Sequence, residues 1–484
     1  MGDLAKNNNG SGTNGVANGN GTTAKTGVAN GNGTTAKTGV ANGNGTTDKT
    51  SVANGNGTTG KTGATGKVDA AELYRRGRAL CFGLDGVKID GPKGLRLLTE
   101  AAKAGSLEAQ GELAEALADG LQGTKPDAAR AVAVGKKPAQ AGNPFALDTL
   151  GACFRDGLGG LPKDEAKARA CFARAFEGFK RLAAEPNPDA RALCYLGCYL
   201  GDGRGSADGT PNESPEVAAE QFRLYLRGAK LGFSTAASNV AHCYLSGDGV
   251  AQNEAEGVRW LQAAANLGSW GATCELGEIY FYGSCGLPED KAKGFGMLRK
   301  VAEEGYPEAA RLLGNYYLTG CDGVEQNQAE ATRWYRRAAE AGDAGGARWL
   351  GMCYMEGHGV AKNPTEGTRW LLKAAEAGDA DAARLLGVIY IRGIGVAANP
   401  TEGARWLRAA AEAGDVEAAR GLGISYLNGD CGEENPDEGI RWLAIAAAAG
   451  DADAAKALKA AGVRVVKPKS EGGILGRLFG KGKK

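Results

Sequence analysis

A 36-residue period in the second half of the chain constrains the fold more than any other sequence feature. Residues 379–414 and 415–450 are consecutive units with one layout, and residues 343–378 form a similar unit before them. Self-similarity at a period of 20 to 50 residues is typical of solenoids, in which each repeat packs on its neighbours. The 484 residues therefore need not divide into ordinary compact domains.

Each unit predicts two helices joined by a short loop. In the unit that begins with Asp379, this residue can cap a first helix whose apolar face includes Leu386 and Tyr390. Gly393 ends that helix, and Asn399 starts the second one, with a proline in the first turn. Neither helix can bury its apolar face alone, whereas stacked pairs can. The sequence therefore predicts an all-α fold built from stacked helix-turn-helix repeats.

The repeat signature is a Leu-Gly pair followed by Tyr in the first helix, a Gly-x-Gly-Val loop, and Trp with Ala-Ala in the second helix. The Leu-Gly pairs are at Leu276-Gly277, Leu313-Gly314, Leu350-Gly351, Leu386-Gly387 and Leu422-Gly423, and the tryptophans are Trp260, Trp334, Trp370, Trp406 and Trp442. This pattern resembles the Sel-one-like repeat (SLR) family, relatives of the tetratricopeptide repeats. The resemblance implies a right-handed α-solenoid of about ten repeats, whose first helices line a concave surface.

Four segments are expected along the chain. Residues 1–67 consist of 12-residue Gly/Asn/Thr-rich repeats with few large apolar side chains, so we expect disorder there. Residues 68–232 are expected to form degenerate helical repeats, with an insertion at 206–212. Residues 233–462 are expected to form regular repeats that end in a capping helix at 451–462. Residues 463–484 form a basic amphipathic tail.

The net charge of +1 conceals a strong asymmetry. Residues 1–67 carry +4, from six Lys against two Asp, and residues 463–484 carry +6, from seven Lys or Arg against Glu471. This leaves −9 for the residues between them, which is not the profile of a nucleic-acid-binding body. The chain has neither a run of apolar residues long enough to span a membrane nor a secretory signal. We therefore expect a cytoplasmic protein, with peripheral membrane contact as the alternative.

Catalytic, metal-binding and cofactor-binding patterns are weak in this sequence. The two histidines, His242 and His358, have no visible acidic or nucleophilic partner, and the eleven cysteines include no CxxC pair. The segment Gly55–Thr62 matches the phosphate-loop pattern, but it lies inside the low-complexity repeats, without the strand and helix that such a loop requires. We therefore expect no enzyme activity, no metal and no cofactor.

A periodic row of arginines is the candidate partner-binding site. Arg311, Arg348, Arg384 and Arg420 each lie two residues before a Leu-Gly pair, so they should align along the stacked first helices. Such a row can grip an acidic peptide through forked hydrogen bonds, with Trp349 as an apolar anchor.

Intrahelical ion pairs are the competing interpretation of this row. Three of the arginines have a carboxylate three residues earlier, and those pairs can occupy them. Arg348 has Gly345 at that position and is expected to be the least encumbered. The sequence leaves both interpretations open.

The tail is the second candidate site. Its apolar residues Ile474, Leu475, Leu478 and Phe479 can form a short helical face, and basic residues that include Arg477 and Lys481 flank it. Such a segment can lie on an anionic membrane through residues 467–484, dock into a partner's groove, or stay solvated.

The resemblance implies a non-catalytic scaffold or adaptor that assembles one or more partner proteins. The alternatives are a membrane-associated regulator of an envelope or cell-wall enzyme, localised by this tail, and, more weakly, a hydrolase.

Overall fold

The computed structural model describes residues 69–121, 124–206, 209–321, 323–431 and 434–462. These residues form 21 α-helices, and their only β-type pairing is an isolated bridge between Cys321 and Val324. The predictions made for residues 1–67, including the phosphate-loop match, and for residues 463–484 lie outside the described residues.

The helices follow one another with short connections and are numbered in chain order. They are α1 (Ala70–Phe82), α2 (Gly91–Lys103), α3 (Leu107–Asp119), α4 (Ala128–Gln140), α5 (Pro144–Asp156), α6 (Glu165–Ala184), α7 (Ala190–Gly201), α8 (Pro215–Lys230), α9 (Ser234–Ser246), α10 (Glu254–Asn266), α11 (Trp270–Tyr282), α12 (Lys291–Glu304), α13 (Pro307–Thr319), α14 (Gln328–Glu340), α15 (Ala344–Glu356), α16 (Pro364–Glu376), α17 (Ala380–Arg392), α18 (Pro400–Glu412), α19 (Val416–Asn428), α20 (Pro436–Ala448) and α21 (Ala452–Ala460).

Consecutive helices pack as ten pairs, from α1–α2 to α19–α20, and α21 packs on the last pair. Each odd-numbered helix is the first helix of its repeat, and it also contacts the second helix of the repeat before it. The predicted solenoid of about ten stacked repeats is confirmed, and α21 lies where the capping helix is predicted. The insertion predicted at 206–212 falls between α7 and α8, within the fourth pair.

Local signals in the sequence set the helix ends. The Asn399 side chain caps α18 by accepting a hydrogen bond from the backbone N–H of Glu402 at 3.1 Å. At the end of α17, Gly393 adopts a left-handed conformation with a φ of 69°, and its N–H donates to the carbonyl of Ile389. Side-chain caps satisfy N–H groups that a helix start leaves unpaired, and glycine adopts this turn without the steric cost of a Cβ.

The glycine of the Leu-Gly pair is required by close helix packing. A Cβ at Gly387 would lie 2.5 Å from Cγ of Leu407 and 3.1 Å from the carbonyl oxygen of Gly403, both on the second helix of the same repeat. The two helices therefore approach each other more closely than any side chain at this position allows, which explains a residue that otherwise costs helix stability.

One buried cluster runs through the last repeats. Leu386, Leu407, Leu422 and Leu443 are buried and belong to one cluster that spans α15 to α21. Each repeat thus buries the apolar face that the neighbouring repeat cannot bury alone, as in a quasi-one-dimensional stack.

The first repeats also make contacts that are not between neighbours. Phe82 and Leu84, at the end of α1, belong to the same buried cluster as Phe233 and Leu276, which lie beside α9 and on α11. Arg78 of α1 also forms an ion pair with Asp189, the cap of α7, at 2.5 Å. The chain therefore closes one superhelical turn across its first repeats, so that the first repeat packs on the fourth and fifth.

Candidate interaction surface

A single row of side chains runs along the stacked first helices. The ninth residues of six consecutive first helices are His242, Glu278, Asn315, Met352, Val388 and Ile424. We call these residues the first-helix row. Contacts between neighbouring repeats show that these helices lie side by side: Nε2 of His242 on α9 is 2.8 Å from a carboxylate oxygen of Glu275 on α11.

The first-helix row changes from polar to apolar along the chain. It begins with His242 and Glu278 and ends with Met352, Val388 and Ile424. Val388 is 38% exposed and Ile424 is 37% exposed, which places both among the few large apolar side chains that the described residues leave open to solvent. Singly scattered apolar residues on a surface need no explanation, but these two occupy the same position in consecutive repeats. We call Met352, Val388 and Ile424 the apolar strip.

The predicted row of arginines is present, and its main contacts are ones that neither sequence interpretation included. Each arginine contacts the aspartate that caps the first helix of the next repeat. The pairs and their closest nitrogen–oxygen distances are Arg311–Asp343 at 3.3 Å, Arg348–Asp379 at 3.0 Å, Arg384–Asp415 at 2.9 Å and Arg420–Asp451 at 2.8 Å. We call these four pairs the arginine ladder.

Each aspartate of the ladder has two roles. One carboxylate oxygen of Asp379 accepts from the backbone N–H of Ala382 at 2.7 Å and so caps α17, while the other receives Nε of Arg348. Charge-assisted hydrogen bonds of this kind are the stronger ones in proteins. The ladder therefore ties the middle of one first helix to the start of the next, at every junction from α13 to α21.

Intrahelical pairing accounts for only part of the row. Arg311 contacts Glu308 and Arg384 contacts Asp381, as the spacing predicts, but Glu417 contacts Arg384 of the preceding repeat. The expectation that Arg348 is the least encumbered is wrong, because it contacts both Asp379 and Asp381 of the next repeat. The capping aspartates follow the arginines by 32 residues in the first pair and by 31 in the other three, and this near-constant offset was the signal that could have revealed the ladder.

The charge beside the apolar end of the row is net negative. Arg348, Arg384 and Arg420 contact six carboxylates, and Lys456 pairs with one of these, Asp453, so four cations face six carboxylates. The arginine side chains are only 21–29% exposed, whereas Asp381 is 48%, Glu417 61% and Asp453 66% exposed. An approaching ligand therefore meets carboxylates more than guanidinium groups.

Trp349, the predicted apolar anchor, is half-buried between two repeats. Its ring stacks on Tyr335 of α14, with centroids 5.8 Å apart and planes 12° from parallel. The Arg348 guanidinium lies 5.5 Å from the centroid of the same ring. Trp349 thus already has partners within the fold, and only part of its ring faces solvent.

A second charged cluster lies where the first turn closes. The fully buried guanidinium of Arg191 lies between the rings of Phe82, at 3.5 Å, and Phe145, at 4.2 Å, and it forms ion pairs with Glu112 and Glu115. Burial alone would lower the pKa of Arg191, but these two carboxylates outweigh it and raise the pKa above its usual range. Burial raises the pKa of Glu112, although Arg191 and Arg78 oppose this.

This cluster borders an open cavity of about 750 Å³ whose lining includes Tyr74, Arg78, Glu112, Asp189 and Leu231. Its charges are largely paired with one another across the turn, and its members are up to 111 residues apart in sequence. No periodic signal in the sequence marks them, which is why sequence reasoning did not find the cluster.

The histidines and the titratable residues outside these clusters are dispersed. The hydrogen bond from His242 to Glu275 raises the pKa of this histidine, and His358 lies 3.3 Å from Glu356 in a loop. Burial, with Glu308 and Glu275 nearby, raises the pKa of Glu278 to about 7. Within the described ranges no three His, Cys, Asp or Glu residues are placed to hold a metal ion. The eleven cysteines, which all lie in those ranges, form no disulfide bonds.

None of the helices that the structure describes has the length and apolar character needed to cross a membrane. The tail residues Ile474, Leu475, Arg477, Leu478, Phe479 and Lys481 lie outside the described part of the chain, so their predicted docking stays a prediction.

A family model described as the Sel1 repeat matches more than half of the chain. It matches residues 73–106, 107–133, 145–178, 234–269, 271–306, 307–343, 344–379, 380–415 and 416–451. These matches reach every helix pair except α7–α8, which carries the insertion. No curated protein sequence matches the chain.

Several solved structures are similar to the chain. A Sel1 repeat protein from Oxalobacter formigenes is 30% identical, with 48% of this chain and 94% of that chain covered and a TM-score of 0.44. The antigen c5321 of uropathogenic Escherichia coli, described as displaying an SLR fold, is 25% identical, with 82% and 81% covered and a TM-score of 0.45. Both TM-scores are below 0.5, so assignment to a family depends on the repeat matches.

Proposed function

The chain belongs to the Sel1 repeat family, whose members generally serve as protein–protein interaction scaffolds, and we propose that it is a non-catalytic adaptor that assembles partner proteins along its first helices. A solenoid suits this role because stacking many small units creates a long surface without a large core.

The apolar end of the first-helix row is the observation that carries the proposal. Met352, Val388 and Ile424 occupy one position in three consecutive repeats, and the last two remain open to solvent. The helices that present them are held in register by the arginine ladder, so the strip is preorganised. A preorganised surface loses little conformational entropy when a partner binds, which favours affinity.

The spacing of the row indicates the kind of ligand that fits it. Neighbouring packed helices lie roughly 8–10 Å apart, and an extended chain advances about 3.3 Å per residue. A partner segment in the polyproline II conformation has three residues per turn and advances about 3.1 Å per residue, so it can place an apolar side chain on successive members of the row at every third residue.

The arginines of the ladder and Trp349 border this surface. We include Arg311, Arg348, Arg384, Arg420 and Trp349 in the proposed binding site through the parts of their side chains that stay exposed, beside their contacts within the fold. The ladder contains both guanidinium groups and carboxylates, so acidic and cationic partner segments are both compatible with it. In the last repeats the exposed carboxylates are in excess, which favours cationic segments there.

Affinity capture with two matched variants tests the proposal. The row variant is Val388→Lys/Ile424→Lys, and the control variant is Leu158→Lys/Ile394→Lys, which charges two equally or more exposed aliphatic residues in loops. We expect partners captured by the wild-type chain to be retained by the control and lost by the row variant, with circular dichroism unchanged in both. Equal recovery by the row variant and the wild type would refute this site.

A further inference from the structure

We propose that the C-terminal segment 474–484 of this same chain docks on the apolar end of the first-helix row and competes there with external partners. The inference rests on the proposed function of that row, and it names an intramolecular occupant for it.

Charge complementarity is the first argument. The apolar end of the row is flanked by the six carboxylates that contact Arg348, Arg384 and Arg420, and three of these carboxylates are about half exposed or more. Residues 463–484 carry seven Lys or Arg and one Glu. Opposite potentials on two surfaces steer their encounter and select their orientation.

Apolar complementarity is the second argument. The segment contains Ile474, Leu475, Leu478 and Phe479, whose spacing places them on one face of any helix formed on docking. Val388 and Ile424 are exposed aliphatic side chains, and Met352 precedes them in the row. An amphipathic helix that lays such a face into an apolar strip is a recurrent mode of peptide recognition.

The point at which the chain leaves the solenoid is the third argument. The capping helix α21 is the next first helix in the stack, and its ninth residue, Ala460, continues the row 36 residues after Ile424. Ala460 is exposed, and the described chain ends two residues later, at Gly462. The tail therefore departs from the row itself.

The connecting segment is long enough to turn back. The 12 steps from residue 462 to residue 474 span at most about 40 Å when extended, and roughly 20 Å on average as a flexible chain. Ile424 and Val388 are one and two repeats back from Ala460, or about 10 Å and 20 Å along the stack. Tethering at this range gives an effective concentration in the millimolar range, so even a weak contact is occupied.

Limited proteolysis of the full-length chain tests the docking. Trypsin cleavage after Lys469, Arg477 and Lys481 is followed by intact mass for the wild type, the row variant and the control variant, at 50 and 500 mM NaCl. We expect about tenfold faster tail cleavage in the row variant, because the contact loses the burial of two aliphatic side chains. The control variant should match the wild type, and high salt should speed cleavage of the wild type.

Equal cleavage rates in all three proteins would overturn the proposal. A second variant, Leu478→Ser/Phe479→Ser, leaves the solenoid untouched and is expected to capture more external partner than the wild type. It should also bind a labelled 463–484 peptide more tightly, because its own tail no longer occupies the row. Failure to bind that peptide would likewise overturn the proposal.

Other occupants give distinct results. If the tail resists trypsin only when phosphatidylserine vesicles are present, and this resistance does not depend on Val388 or Ile424, the tail binds a membrane surface instead of the row. If the wild type sediments as a dimer and the row variant as a monomer, the tail docks on the row of a second copy of the chain. If the tail is unprotected but partner capture still depends on the row, docking fails and the proposed function stands. If capture is also independent of the row, both fail.

Discussion

The ion pair between Arg384 and Asp415 gives the most specific prediction about how the repeats are held together. Arg384 lies on α17, and Asp415 caps α19, so the pair joins two consecutive first helices at 2.9 Å. Arg384 also reaches Asp381 and Glu417, each at 3.0 Å. Burial alone would lower the pKa of Arg384, but the contact with Asp415 and the other carboxylates outweighs burial and raises it.

The magnitude follows from the burial of the pair. Arg384 is 24% exposed and Asp415 12% exposed, so the pair lies between surface pairs, worth about 0–1 kcal/mol, and fully buried ones, whose disruption costs about 3–5 kcal/mol. We expect Arg384→Met, which keeps the apolar stem, to cost about 2 kcal/mol. Asp415→Asn keeps the cap, because Asn caps helices as well as Asp does, and should cost about 1 kcal/mol.

The assay is a double-mutant cycle of Arg384→Met and Asp415→Asn, read by native-state hydrogen exchange of α19 amides. Hydrogen exchange resolves local opening, which matters because a repeat stack can unfold in parts. We expect a coupling energy of about 1 kcal/mol that shrinks at 1 M salt. Arg405→Met is the control, because Arg405 is 65% exposed and pairs with Glu402 within its own helix. A coupling energy below about 0.3 kcal/mol, or an equal cost in the control, would refute the reasoning.

Two further predictions concern packing and pH. Gly387→Ala should destabilise the protein by about 1–3 kcal/mol, because its Cβ would meet Leu407, whereas Gly421→Ala, with no atom within 4 Å, should stabilise by up to about 1 kcal/mol. Urea denaturation measures both changes in unfolding free energy, and changes of similar size and sign for the two variants would contradict the packing argument. The pKa of Glu278 is about 7 in the folded chain against 4.5 for the ordinary side chain, so its stabilising contribution is present below pH 4.5 and lost as pH rises through 7. The difference in unfolding free energy between Glu278→Gln and the wild type should therefore favour the variant more at pH 8 than at pH 5. Parallel pH profiles of stability for the two proteins would exclude this linkage.

The features that depend on local or periodic signals were predictable from the sequence. Helix pairs, the terminal cap and the close approach at Gly387 all follow from spacing and from residue types that cap or break helices. These signals act within one repeat and recur in the next, so one sequence shows them several times. This repetition is why the fold is clear without a structure.

The contacts between distant repeats were not predictable in the same way. The arginines have a visible period, but their aspartate partners lie 31 or 32 residues later, in the next repeat, whereas intrahelical spacing connects residues only three or four apart. The buried Arg191 and the ion pair between Arg78 and Asp189 depend on how far the solenoid curves before it returns to its first repeat. Curvature accumulates from small rotations at each junction, which no motif in the sequence encodes.

The apolar end of the first-helix row was missed for a related reason. Val388 and Ile424 look like ordinary apolar helix residues, and only the packing of neighbouring helices shows that they remain exposed. Their exposure is therefore a property of the stack rather than of one helix.

The central claim is that partner proteins bind along the first helices of this solenoid. Hydrogen–deuterium exchange of the full chain, measured with and without a partner isolated by affinity capture, tests it most directly. The account predicts slower exchange in the segments of α15, α17 and α19 that contain Met352, Val388 and Ile424, with α16, α18 and α20 unchanged. Protection confined to the second helices, or to neither set, would contradict it.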